Sequence, residues 1–174
     1  MKKISICCLA VAFLLMTLTG CGSMETQSLK IGQGIDTTVK ITDATDEKNG
    51  SAKIAVTSAS VIIDEQGRIV QCFLDAAEYT VSLDANGKAE TGELPQTKYE
   101  SGDAYGMKAY GGAQKEWYEQ ADAFCSVAIG KTRDELKALV ASDGKGTDAV
   151  IRAGCTISVS EFIRAIEKAF QNAR

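Results

Sequence analysis

Side chains able to do chemistry gather in two stretches of the 174-residue chain. Between Tyr99 and Tyr118 lie Tyr99, Tyr105, Tyr110, Trp117 and Tyr118, which are four of the five tyrosines and the only tryptophan. Gly102, Gly106, Gly111 and Gly112 interleave them, and a helix is expected to open just after the glycine pair. Aromatic faces stack planar ligands, and a helix N-terminus offers free N–H groups to an anion. Lys108 and Lys115 add positive charge. The plainer reading makes the same tyrosines the core of a loop packed over a sheet. The second stretch is Ala153-Gly154-Cys155-Thr156-Ile157-Ser158. Ser158 is explained as a helix cap, and Thr156 beside it places a hydroxyl where a phosphate is electrostatically favoured.

Composition removes most other chemistries. The chain has no histidine, so Ser-His-Asp and Cys-His catalysis cannot be built from it. No metal-ligand spacing and no nucleophile elbow appear, and the domain is not expected to be an enzyme. Asp43, Asp46 and Glu47, and Asp143, Gly144, Gly146 and Asp148, lack EF-hand spacing and read as turns. Asp134 with Glu135, and Glu119 with Asp122, read as solvated helix faces. An acidic chain has no footprint for nucleic acid, and losing Lys2 and Lys3 would take the formal charge from −4 to −6. Of the six cysteines, Cys7 and Cys8 lie in an apolar N-terminal stretch and Cys21 follows it. Cys72, Cys125 and Cys155 remain, an odd number: three small buried hydrophobes, or one disulfide and one thiol.

The N-terminus carries an address. Lys2 and Lys3 precede an apolar run from Ile4 to Leu18, and Leu18-Thr19-Gly20-Cys21 follows. The run is short for a membrane span of about 20 residues. The Leu, small, Gly, Cys order resembles the lipobox of bacterial lipoproteins. That resemblance implies a signal peptide over 1–20, diacylglycerol and acyl chains (such as palmitate) on Cys21, a tether over 21–29, and a domain over 30–174 held by lipid on the extracytoplasmic face of the cell membrane. Two acyl chains hold firmly, at about 0.8 kcal/mol per buried methylene.

The first half of the domain alternates apolar and polar residues as strands do. Thr38 to Thr42, Ile54 to Ile63, Ile69 to Leu74, and Tyr79 to Leu83 are expected strands. A slip near Ser58 to Ser60 suggests a bulge. Asp64-Glu65-Gln66-Gly67 and Asp84-Ala85-Asn86-Gly87 are turn signals. Thr91 to Gly112 reads as loop. Ala113 to Ile129 puts Trp117, Ala121, Phe124, Cys125 and Ala128 on one helical stripe. Thr132-Arg133-Asp134-Glu135 and Ser158-Val159-Ser160-Glu161 are capping boxes for a short helix and for a last helix burying Phe162, Ile163, Ile166 and Phe170. The expected fold is α+β: an antiparallel meander covered on one face by about three helices.

Gly154-Cys155-Thr156-Ile157-Ser158 ahead of an amphipathic helix resembles the Gly-Ala-Thr-x-Ser stretch of FMN-binding domains, found in extracytoplasmic flavoproteins of respiratory electron-transfer complexes. "VIIDEQGRIV" resembles a strand-turn-strand unit common among them. In that family the threonine is esterified to the FMN phosphate, which implies Thr156 as the attachment residue here. The implied cofactor site is Gly154, Thr156 and Ser158 for the phosphate, with the ring against Tyr105, Tyr110 or Trp117. Cys155 stands where the family has alanine, and Ala153 where it has serine or threonine. "DAYGMK", "KEWYEQADAF", "GKTRDEL" and "CTISVSEFIRAIEKA" resemble exported proteins of anaerobic bacteria, often lipoproteins, with no assigned activity. The resemblances imply an FMN-binding or electron-transfer module whose partners are the membrane and a membrane redox complex. The alternative is a cofactor-free surface protein that holds a small-molecule ligand.

Overall fold

The computed structural model describes residues 28–45, 48–84, 86–89 and 94–174. Cys21, most of the tether, Asp46 and Glu47 lie outside them. Three strands, β1 (Lys30–Thr42), β2 (Gly50–Ile63) and β3 (Ile69–Leu83), form an antiparallel meander in the order β1-β2-β3. Five helices follow among the described residues: α1 (Lys98–Ser101), α2 (Trp117–Ala128), α3 (Arg133–Lys137), α4 (Asp148–Ala153) and α5 (Ser160–Asn172). A 3₁₀ turn over Gly102–Tyr105 extends α1. The fold is α+β, as the patterning predicts.

The differences in detail have physical causes. Strand β1 begins at Lys30, well before the alternating Thr38 to Thr42, because its first half turns Gly32, Gly34 and Asp36 rather than apolar residues toward the helices. β3 runs unbroken through Asp75-Ala76-Ala77, where the alternation lapses. The register shift falls between Ile62 and Ile63, at the hairpin end, and Ser58 to Ser60 pair regularly. The expected helix from Ala113 starts at Trp117, with Glu116 in the extended conformation before it. The final helix starts at Ser160 after Val159, so Ser158 is not its N-cap. The Ser158 hydroxyl instead lies 3.2 Å from the Gly144 carbonyl and 3.4 Å from Glu161 Oε2.

One sheet face is covered. Val61, Ile63, Ile69 and Leu74 meet Phe124, Ala128, Phe162, Ile163 and Ile166 in a single core. The other face leaves Ile31, Ile35, Val39 and Ile41 exposed.

Helix α5 lies along the edge strand β1 at close range. A Cβ on Gly32 would run into the carbonyl oxygen of Ala169, and one on Gly34 into that of Ala165. With hydrogens there, α5 also satisfies the strand's open edge. Lys168 Nζ donates to the Ile35 carbonyl at 2.9 Å, Asn172 Nδ2 to the Gln33 carbonyl at 2.9 Å, and Arg174 N to the Ile31 carbonyl at 3.3 Å. Asp36, 6% exposed, accepts from Arg164 Nε at 2.8 Å and Lys168 Nζ at 2.9 Å. Burial alone would raise the Asp36 carboxyl. The hydrogen bonds from Lys168 and Arg164 outweigh it and hold the group below the ordinary carboxylate value.

A carboxyl held low stabilises the fold above its ordinary pKa and loses that contribution as pH falls through the depressed value. Both cations stay half-exposed, so an Asp36→Asn variant should lose about 1–3 kcal/mol at neutral pH. The gap to the wild type should begin to narrow at about pH 4 and vanish at lower pH, as read by urea unfolding across the acid range.

Candidate functional site

The aromatic stretch is folded around a buried carboxylate. Glu116 is 1% exposed, and its two oxygens accept the backbone N–H groups of Met107 at 2.8 Å and Lys108 at 3.0 Å. Its own N–H donates to Glu119 Oε2 at 2.8 Å. Glu116 thus pins the Gly106–Gly112 loop to the start of α2. Gly106, in the left-handed conformation, lets the Tyr110 ring lie against the backbone where a Cβ would strike it.

Gln120, one turn further along α2 and also 1% exposed, ties this loop to the second stretch. Its Oε1 accepts both the N–H of Thr156 at 2.9 Å and the Thr156 hydroxyl at 3.1 Å. Its Nε2 donates to the Lys115 carbonyl at 3.1 Å and points to Met107 Sδ at 4.0 Å. The buried amide therefore uses both ends, which fixes its orientation and the position of Thr156.

Two pockets flank this tie. The first, of about 490 Å³, lies between the far half of the sheet's covered face and the helices. Lys40, Lys53 and Glu78 come from the strands, Lys98 from α1, and Tyr105, Met107, Trp117, Ser158, Glu161 and Phe162 from the loops and helices. Its charges are interlaced. Glu78 meets Lys53 at 2.7 Å and Lys98 at 3.8 Å, and Lys98 Nζ lies over the Tyr105 ring at 5.2 Å. The second pocket, of about 520 Å³, is lined by Gly112, Lys115, Ile151, Arg152, Gly154 and Thr156 among others. Lys115 donates to the Ala153 carbonyl at 3.2 Å and passes where a Cβ on Gly154 would sit.

The expected site residues divide between these pockets. Tyr105, Trp117 and Ser158 line the first, while Gly154 and Thr156 line the second. Tyr110 is 91% exposed and lines neither. Trp117 is 5% exposed and stands edge-on to Phe162, so it contributes a rim and not an open stacking face. Lys108 is engaged by Glu119 at 3.2 Å. Tyr99 and Tyr118 hydrogen-bond Asp122 and Asp103, and Tyr99 packs on Phe73 of the edge strand β3. Burial and the Asp122 carboxylate push the Tyr99 phenol up. These two tyrosines are packing residues, as the plainer reading had it.

Sequence reasoning missed Glu116, Gln120 and Lys98. Gln120 sits on the apolar stripe of α2, and a polar residue inside such a stripe is a signal of a buried hydrogen-bonding role, while Glu116 stands just before the helix as its N-cap. Among the described residues there is no group of metal-binding side chains, and no helix is long and apolar enough to cross a membrane.

No protein-family model matches the chain, and no solved structure matches it. A curated relative, a chlorophenol reductase of Desulfitobacterium hafniense, is 30% identical over 121 residues, covering 62% of this chain. The chain spans 37% of that protein's length.

A Glu116→Ala variant leaves the Met107 and Lys108 amides without their acceptor inside the fold. It should cost about 1–3 kcal/mol of stability. Amide hydrogen exchange at Met107 and Lys108 should accelerate while the core of α2 stays protected.

Proposed function

We propose that this chain is a lipid-anchored, extracytoplasmic binding module that takes a planar, anionic ligand, with FMN as the leading candidate and electron transfer as its role. The observation that carries the reading is the first pocket, where the Tyr105 ring and the Lys98 ammonium share one wall. Its volume lies within the usual range for small-molecule sites, about 300–1,000 Å³. Lys98 supplies charge to an acidic group, and Tyr105 supplies a face to a flat one. The second pocket would suit a phosphate, since Thr156 lines it together with Lys115 and Arg152. No aromatic side chain lines that pocket. A flavin would supply one- and two-electron chemistry when bound. The reductase name of the relative supports a redox role. Cys21 would hold the module at the membrane, beside a membrane redox complex as partner.

A second reading rests on the division of the site. Because Thr156 and Tyr105 line different pockets, the first pocket would serve a cofactor-free protein equally well for another small planar acid.

Titrating the full chain with FMN and following fluorescence of the sole tryptophan separates these readings. Trp117 borders the first pocket, so flavin binding there should quench it saturably, and Tyr105→Ala should weaken binding about 5–10-fold, on the order of 1 kcal/mol. A peptide carrying an FMN adduct at Thr156, after coexpression with a flavin transferase, would establish the covalent form. Absence of both quenching and adduct would leave the cofactor-free reading. For the anchor, Cys21→Ser should move the protein from the membrane pellet to the soluble fraction.

A further inference from the structure

We propose that Cys72 and Cys125 are an oxidisable pair that closes a disulfide between β3 and α2, leaving Cys155 as a buried thiol. Cys72 lies on the covered face of β3, and Cys125 on the buried stripe of α2. Their sulfurs are 3.0 Å apart. Bond formation at about 2.05 Å then needs an approach of only about 1 Å, within what side-chain rotation supplies. The two elements already pack together, and 53 positions separate the cysteines in sequence, so the link would close a long loop. The geometry is independent of where the protein resides and of any ligand.

The pair is asymmetric. Cys72 is half-buried, whereas Cys125 is buried and its thiol is pushed up by the hydrogen bond with Cys72 and by desolvation. Cys155 is fully buried as well, and burial pushes its thiol up to about 11. Cys72 is therefore the point of entry for a disulfide oxidant, whether a protein dithiol-disulfide oxidase or glutathione disulfide. The Cys72 thiolate attacks one sulfur of the oxidant, forms a mixed disulfide and expels the other sulfur as a thiolate. Cys125 then gives its proton to solvent and attacks the Cys72 sulfur, expelling the second thiolate. The protein loses two electrons and two protons, and one disulfide of the oxidant becomes two thiols.

The test is a disulfide map of the purified full chain after treatment with glutathione disulfide. Unreacted thiols are alkylated and trypsin is used without reductant. The peptide spanning 69–88 should appear joined to that spanning 116–131, and dithiothreitol should separate them. The peptide spanning 153–164 should carry the alkyl label once the protein is denatured. Cys155→Ala should leave the joined peptides unchanged. The oxidised protein should melt about 10 °C above the reduced one, as expected for a long closed loop in a domain of this size. Alkyl label on both Cys72 and Cys125 after oxidation, or a persistent glutathione adduct on Cys72, would overturn the proposal. So would an oxidised protein that melts no higher than the reduced one.

Discussion

The close seating of α5 on β1 is the constraint from which the rest of the structure follows. Gly32 and Gly34 remove the side chains that would hold the helix off, so its backbone at Ala165 and Ala169 meets the strand directly. Asp36 then fixes the rotation of the helix by engaging Arg164 and Lys168, one turn apart. Lys168 and Asn172 use the edge carbonyls of Ile35 and Gln33, which protects a strand that would otherwise present an open edge. With α5 set in this way, Phe162, Ile163 and Ile166 reach the strands and α2.

The start of α5 also sets the candidate site. Phe162 meets Trp117 at 5.7 Å and Phe124 at 5.5 Å, which positions α2. Just before α2, Glu116 gathers the glycine-rich loop, and from within the helix Gln120 reaches Thr156. The polar residues at the heart of the site thus do structural work between two pockets. Buried polar groups of this kind cost stability when left unpaired, and here each has its partners. Among the described residues no buried side-chain N or O lacks a partner.

Much of this was legible in the sequence. The stripe of Trp117, Ala121, Phe124, Cys125 and Ala128 is buried throughout, because a helix of that period has one place to put it. The Gly67 turn and the Thr132 capping box stand where expected. The first half of β1 was not legible. Glycine and aspartate disfavour strands in general, and their use here depends on a helix more than 120 residues away. The division of the candidate residues between two pockets was not legible. Composition marked Tyr105 and the place before a helix marked Thr156, yet the two line different pockets. The short α4 escaped notice because its Asp-Gly surroundings read as turn.

The dependence of the fold on the α5–β1 contact is tested most directly by denaturant unfolding of Gly34→Ala. One added methyl meets helix backbone that cannot swing aside, so the variant should lose about 2–4 kcal/mol. Stability within about 0.5 kcal/mol of the wild type, the range of ordinary surface changes, would contradict it.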